Sequence, residues 1–65
     1  MRVTIGDTIR IINMNGEPHY TGRVGVVTHI DDAKQIHGTW GGCALSEEYG
    51  DVFEIVSKGG KDNGK

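Results

Sequence analysis

The sequence predicts an all-β fold: one small barrel of about five short antiparallel strands, with a single 3₁₀ turn before the last strand. Three observations carry this prediction. The apolar residues fall into short runs rich in valine and isoleucine, glycine-containing turns separate these runs, and 65 residues allow only one domain with a core of limited size. No apolar run reaches the length of a signal peptide or a membrane span.

The first strand is predicted over residues 8–14, where apolar and polar side chains alternate. Ile9 and Ile11 fall on one side of this run with Arg10 between them, so the two isoleucines are expected to face the core. Residues 15–21 contain the only proline of the chain, and proline cannot donate a hydrogen bond to a neighbouring strand. This segment is therefore predicted to be a surface loop that crosses one end of the barrel.

The second strand is predicted over residues 22–30, the most valine-rich part of the chain. Gly25 lies inside it, and a glycine within a strand indicates a bend, a bulge or a close approach of another backbone. Val27 and Ile30 are three positions apart, so both can face the core only if the strand bends between them. We expect this kink.

The rest of the sheet is predicted from turn signals. Residues 35–40 form a third strand, residues 41–42 a two-residue glycine hairpin, and residues 43–45 a short fourth strand. Residues 46–50 hold a serine, two acids and a final glycine, which predicts one 3₁₀ turn. The last strand follows over residues 52–56. The residues expected to face inward from the third and last strands are Ile36, Gly38, Trp40, Phe53 and Ile55.

Charge and glycine content divide the chain into a body and a tail. Residues 1–57 form the predicted barrel domain and hold four basic side chains against eight acids, a net charge of −4. Residues 58–65 hold three glycines, three lysines and no apolar residue, so this tail is expected to be disordered. A body with net negative charge lacks the broad positive field from which most nucleic-acid affinity comes. The composition therefore disfavours a nucleic-acid partner.

The reactive side chains match no catalytic or metal-binding pattern. The single thiol excludes an internal disulfide, the adjacent acids point apart, and the histidine spacing fits no metal motif, although two histidines can be cross-strand neighbours. The residues concerned are His19, His29, His37, Cys43, Glu47 and Glu48. We therefore predict no enzyme activity, no metal, no cofactor and a cytoplasmic location.

Four spaced motifs occur in order within residues 5–56. They are Gly6-Asp7-x-Ile9-Arg10-x-x-x-Met14, Gly22-x-x-Gly25-x-Val27, Asp31-Asp32-Ala33-x-Gln35-Ile36-His37-x-x-Trp40 and Asp51-x-Phe53-Glu54. Together they are similar to a bacterial and phage family described only as a domain of unknown function, number 4314. More distantly, the chain resembles the KOW-type barrels of ribosomal and transcription-elongation proteins. The resemblance implies an SH3-like barrel and transfers no functional residue, because the family has no assigned activity or ligand.

Three aromatic residues form the candidate partner-binding groove. Tyr20, Trp40 and Tyr49 lie in the first loop, the third strand and the 3₁₀ turn, which meet beside one groove in an SH3-like barrel. Rigid aromatic side chains in a shallow groove bind extended peptides or stack on bases. In the alternative interpretation, Trp40 caps the core and the tyrosines cover the ends of the barrel.

The function predicted from these features is a non-catalytic binding module, a protein–protein adaptor in bacteria or in a mobile element. The alternative is a KOW-like nucleic-acid-binding module that acts in transcription, translation or phage DNA handling. It would use Arg10 and Arg23, which lie on strands expected to be neighbours. Single exposed arginines among acids are more often only solubilising, and no membrane partner is expected.

Overall fold

The protein is a four-stranded antiparallel sheet with two 3₁₀ turns. The computed structural model describes residues 3–59. The strands are β1 (Thr8–Asn13), β2 (Val24–Ile30), β3 (Ile36–Gly38) and β4 (Val52–Ser57), and they lie in the order β3-β2-β1-β4. The 3₁₀ turns are Pro18–Tyr20 and Glu47–Tyr49, and the described residues contain no α-helix. The all-β prediction is confirmed, with four strands instead of about five.

The predicted fourth strand, over residues 43–45, is not a strand. Only Leu45 pairs, in an isolated bridge where Leu45 and Ile36 exchange backbone hydrogen bonds of 2.8 Å. The predicted two-residue hairpin is also wrong, since β3 ends at Gly38. The reason is Trp40, which turns into the core and donates from Nε1 to the carbonyl oxygen of Cys43 at 2.8 Å. The chain loops around the indole instead of turning back sharply.

The core lies against one face of the sheet, as the alternation in β1 predicts. Ile9 and Ile11 are fully buried, and Val27 of β2 is only 1% exposed. The register of β2 against β3 shifts between Val27 and His29, and this irregularity lets Ile30 also pack against the core. Full burial of one such side chain contributes roughly 1.5–3 kcal/mol. The expected kink in β2 is thus present. The buried apolar residues are Ile9, Ile11, Met14, Tyr20, Val27, Ile36, Trp40, Leu45 and Phe53.

Gly38 makes room for Trp40. A Cβ atom at Gly38 would collide with the indole ring of Trp40 and with the backbone oxygen of Val26. The backbone oxygen cannot move aside as the tip of a flexible side chain would. A glycine at this place in β3 is therefore a packing requirement of the buried tryptophan.

The first residues of the predicted tail contact the body. Lys58 Nζ lies 2.7 Å from Oδ2 of Asp7, and the Gly59 amide donates to Asp7 Oδ1 at 2.9 Å. The remaining predicted tail, residues 60–65, lies outside the described residues. Within residues 3–59, no helix is long and apolar enough to cross a membrane.

Candidate binding surface

The three aromatic residues of the predicted groove do not line one open surface. Trp40 is 3% exposed and Tyr20 is 8% exposed, and both belong to the core, whereas Tyr49 is 73% exposed. Trp40 and Tyr20 therefore pack within the core, which is closer to the alternative interpretation, in which Trp40 caps the core and the tyrosines cover the ends of the barrel. Tyr49 remains as an isolated exposed ring on the second 3₁₀ turn.

Arg23 links the two buried aromatic residues. Its Nη1 donates to the carbonyl oxygen of Trp40 at 2.8 Å, and its guanidinium carbon lies 4.3 Å from the ring centroid of Tyr20. Such cation–π contacts are stabilising at this distance. The pKa of the Tyr20 hydroxyl is raised, first by its hydrogen bond to the Cys43 thiol and then by burial. These side chains form a packed polar edge of the core and leave Arg23 occupied.

Arg10 is also engaged within the protein. It lies on β1 directly opposite Glu54 of β4, and the two side chains form an ion pair across the strands. On its other side Arg10 is opposite Val24, the first residue of β2, while Arg23 immediately precedes that strand. The two arginines predicted for nucleic-acid contact thus lie on neighbouring backbone segments, but their side chains contact different protein partners.

The structure reveals an apolar surface that the sequence prediction did not select, on the face of the sheet that points away from the core. Five aliphatic side chains there are between 39% and 52% exposed, and we call them the outer face: Ile12, Val24, Val26, Val52 and Val56. The Arg10–Glu54 ion pair lies among them. In a one-sided sheet these positions are ordinarily polar. The sequence contains one signal for this face: valine occurs at alternate positions of β2 and near both ends of β4.

The charge of the outer face differs from that of the rest of the body. It carries one arginine and one glutamate, which pair, so it is locally neutral. The other acids lie outside it, in the loops, in the turns or within the interior. Those on the 3₁₀ turns and on the loop between β2 and β3 are Glu17, Asp31, Asp32, Glu47 and Glu48. The protein, whose body has a net negative charge, thus has one face that is neutral and apolar.

A second cluster lies at the far end of the sheet, in the turn between β2 and β3. His29 and His37 are cross-strand partners with ring centroids 5.6 Å apart, and His37 Nε2 lies 2.9 Å from Asp31 Oδ2. The hydrogen bond to His37, followed by that from the Gln35 amide, lowers the pKa of Asp31. A shallow cleft of about 380 Å³ adjoins this turn and is lined by His29, Asp31, Asp32 and Ala33.

The arrangement of this cluster does not favour a metal site. Among residues 3–59, no three histidine, cysteine, aspartate or glutamate side chains are placed to hold a metal ion together. His19 lies in the first 3₁₀ turn, where its partner is Glu17 at 3.4 Å. The hydrogen bond of 2.9 Å between His37 Nε2 and Asp31 Oδ2 instead holds the turn closed.

Comparisons of the chain with protein-family models, with curated proteins and with solved structures found no match. The resemblance based on the four spaced motifs therefore stays a prediction. The fold and surface define the protein as a small all-β domain with an open, four-stranded sheet and one apolar outer face.

Proposed function

We propose that this protein is a non-catalytic, protein-binding module, a small adaptor that docks a partner protein on the outer face. The observation that carries the proposal is the cluster of five exposed aliphatic side chains on one side of the sheet. Exposed apolar patches with polar surroundings mark protein interaction sites. A soluble domain that left this face uncovered would bear the cost of hydrating it with no compensating contact.

The chemistry of the partner follows from the charge distribution. The outer face is apolar and locally neutral, while the other acids of the body lie outside it, on loops and turns or in the interior. A matching partner surface has aliphatic or aromatic side chains at its centre and lysine or arginine at its rim, since complementary potentials increase the association rate and discriminate against other partners.

The contacts of the reactive side chains support a binding role over a catalytic one. The Tyr20 hydroxyl is bound to the Cys43 thiol at the edge of the core, and His37 is bound to Asp31 in a turn. A catalytic acid, base or nucleophile must instead face a site where substrate can approach it.

The two arginines support a protein partner over nucleic acid. Binding a phosphate would require Arg10 to leave Glu54, or Arg23 to leave Trp40 and Tyr20. Phosphate contacts by free basic side chains supply most nucleic-acid affinity, and such contacts here would have to replace existing ones.

An affinity capture from the native host with three baits tests the proposal. The baits are the full chain, the outer-face variant Ile12→Lys/Val24→Lys and the control variant Tyr49→Ser, which changes an exposed residue outside the face. Substitutions at exposed positions normally alter stability by only about 0.5 kcal/mol, so all three baits should fold. Circular dichroism and melting curves check this.

We expect a directly bound protein to be retained by the full chain and by Tyr49→Ser, and to fall about tenfold or more with Ile12→Lys/Val24→Lys. Equal retention by all three baits would show that the partner docks elsewhere. Retention of nucleic acid, lost on nuclease treatment and unchanged in the outer-face variant, would favour the alternative function.

A further inference from the structure

Within residues 3–59, the strand β4 has one unpaired edge. It lies at the end of the sheet order β3-β2-β1-β4, and of these strands only β1 is hydrogen-bonded to it. The other end of the sheet is better covered, because β3 has only three residues and Ile36 is bridged there by Leu45. In the described part of the chain, β4 is therefore the longest free edge, with six residues.

The alternation of backbone hydrogen bonds identifies the free groups. The Ile11 amide donates to the Arg23 carbonyl at 2.8 Å, and the Ile11 carbonyl accepts from Gly22 at 2.7 Å. Ile11 thus directs both of its backbone groups toward the β2 side. Neighbouring residues of an antiparallel strand direct theirs to opposite sides, so Arg10 directs its N–H and C=O groups toward β4.

The same alternation continues into β4. Glu54 is the partner of Arg10, so its backbone groups point toward β1. Phe53 and Ile55 then direct their N–H and C=O groups away from β1, toward the free edge. Natural sheet edges are usually protected by charged side chains, by proline, by β-bulges or by a covering segment. The β4 sequence, Val-Phe-Glu-Ile-Val-Ser, contains neither lysine nor proline; its one charged residue is Glu54, which is paired with Arg10, and its irregularities lie at the ends of the strand.

We infer that the free edge of β4 pairs with β4 of a second copy of this chain, antiparallel and about a two-fold axis. The β4 sequence itself favours an identical partner. From Val52 to Val56 it has two apolar residues, one acid and two apolar residues, so it has the same chemical pattern in both directions. The pairing of β4 with β1 is regular from Phe53 to Ile55 and irregular at both ends. Two identical strands that run antiparallel can therefore match over this central part, as an isologous interface requires.

In the register centred on Glu54, Phe53 of each copy exchanges backbone hydrogen bonds with Ile55 of the other. The Phe53 side chain is already buried in its own core, whereas Ile55 is half-buried, so Ile55 is the side chain on this face that the second copy would cover further. On the outer face, Val52 is opposite Val56 of the second copy. Aromatic with β-branched and β-branched with β-branched pairs are favourable cross-strand contacts.

The two Glu54 side chains at the centre of the dimer give Arg10 a role in neutralising the interface. Glu54 meets Glu54 of the second copy at the axis, and like charges directly opposite one another are unfavourable. Each Glu54 is already bound to its own Arg10, so the row across the dimer is neutral: two arginines flank two glutamates. Removing Arg10 leaves the two glutamates uncompensated.

The interface is small, so the dimer is weak. The described chain exposes 3985 Å². A standard stable interface covers about 800 Å² on each partner, and pairing along one short strand covers less than that. We expect a dissociation constant on the order of 0.1–1 mM. The dimer is independent of the proposed adaptor function, and it joins two outer faces into one continuous surface.

Sedimentation and amide exchange of the full chain at two concentrations test this inference. At about 20 µM we expect mostly monomer, and at about 1 mM about half or more of the chains in the dimer. The Phe53 and Ile55 amides, free in the monomer, should exchange about two- to fourfold more slowly at the higher concentration. The Ile11 amide, which is paired in the monomer, is the internal control and should not change.

Variants test the register and the charge row. Val56→Glu places a further acid beside the central glutamates and should abolish the dimer, whereas Thr28→Glu, an exposed substitution on β2, should retain it. Arg10→Ala should weaken the dimer about tenfold, and Arg10→Ala/Glu54→Gln should restore it, because the repulsion is then removed. A change that acted only through folding would not be rescued in this way.

Three outcomes would overturn the inference. The first is a monomer at 1 mM. The second is a dimer in which the Phe53 and Ile55 amides gain no protection. The third is a dimer that Thr28→Glu disrupts as strongly as Val56→Glu. The amide measurement uses the unmodified chain, so it decides the question even if a variant does not fold.

Discussion

The turns closed by Asp7 and by Asp31 differ mainly in burial. Asp7 accepts backbone hydrogen bonds of 2.9 Å from Thr4 and from Gly59, and it is fully buried. Asp31 accepts bonds of the same length from Ala33 and Gln35, with its side chain 29% exposed. The same chemistry therefore closes a local turn in one place and joins the two ends of the domain in the other.

Each of the two carboxylates also has a cationic or ionisable partner. Burial alone would raise the pKa of Asp7, but the Lys58 ammonium and the Thr4 and Gly59 amides outweigh it and hold the pKa well below its usual range. His37 lowers the pKa of Asp31. Solvent screens an exposed pair strongly and a buried one weakly, so the same contacts have greater energetic weight at Asp7 than at Asp31.

The largest expected effect follows from removing the charge of Asp7. Asp7→Asn keeps the size of the side chain, but Lys58 and two backbone amides then lose their anionic acceptor. We expect a loss of about 2–4 kcal/mol in the free energy of unfolding, a large part of the roughly 3–5 kcal/mol available to a domain of this size. Urea denaturation at pH 7 measures it. A loss below about 0.5 kcal/mol, the range of an ordinary surface change, would contradict this interpretation.

The loss of stability at acidic pH should distinguish Asp7 from Asp31. The pKa of Asp7 is lower in the folded than in the unfolded protein, so its contribution is present above the unfolded value of about 3.9 and is lost as the pH falls through that value toward the folded one. Urea denaturation from pH 7 to pH 2.5 should show stability falling below about pH 5. The slope should flatten in Asp7→Asn and remain largely unchanged in Asp31→Asn.

Substitution of Gly59 should lower the free energy of unfolding by an intermediate amount. A Cβ atom there would collide with the backbone oxygen of Gly6, so Gly59→Ala should displace this residue and remove its hydrogen bond to Asp7. We expect a loss of about 1–2 kcal/mol in urea denaturation. Gly42→Ala is the matched control, since a Cβ atom at Gly42 meets nothing within 4 Å. Equal stability of the two variants would show that the contact between Gly59 and Asp7 contributes little.

The smallest effect is expected at the exposed turn. Asp31→Asn and His37→Ala each disrupt the same half-exposed hydrogen bond, so each should lower the melting temperature less than any change at Asp7. The double variant should melt near the single variants, because both remove one shared interaction. Melting curves of the unmodified chain, the two single variants and the double variant form a double-mutant cycle. Strictly additive losses in melting temperature would show that the two residues act separately.

The parts of the fold that were predictable from the sequence are those set by neighbours along the chain. The alternation of Ile9 and Ile11 locates the inner face of β1, and the Ser-Glu-Glu-Tyr-Gly run locates the second 3₁₀ turn, which ends at Gly50 with φ +94°. The kink of β2 was also predictable, because Val27 and Ile30 cannot otherwise share the core.

The candidate site was less predictable. Sequence reasoning selected the aromatic residues as a groove, yet Trp40 and Tyr20 fill the core. A single tryptophan is equally suitable for a binding groove and for a small core, and local pattern does not distinguish them. The outer face was missed for a related reason. Valine favours β-strands in general, so Val24 and Val26 indicated only a strand, and the exposure of their side chains became visible only in the folded sheet.

By itself, the sequence determined the segments that form β1, β2 and β4, the inner face of β1, the acidic character of the body and the place of the second 3₁₀ turn, because these depend on side-chain alternation and on glycine over a few residues. Only the tertiary structure decided which distant residues meet. Arg10 finds Glu54 44 positions away, and Lys58 reaches Asp7 across 51 positions. Such contacts depend on how the strands order and register within the sheet, which no local pattern specifies, because many pairings share the same alternation.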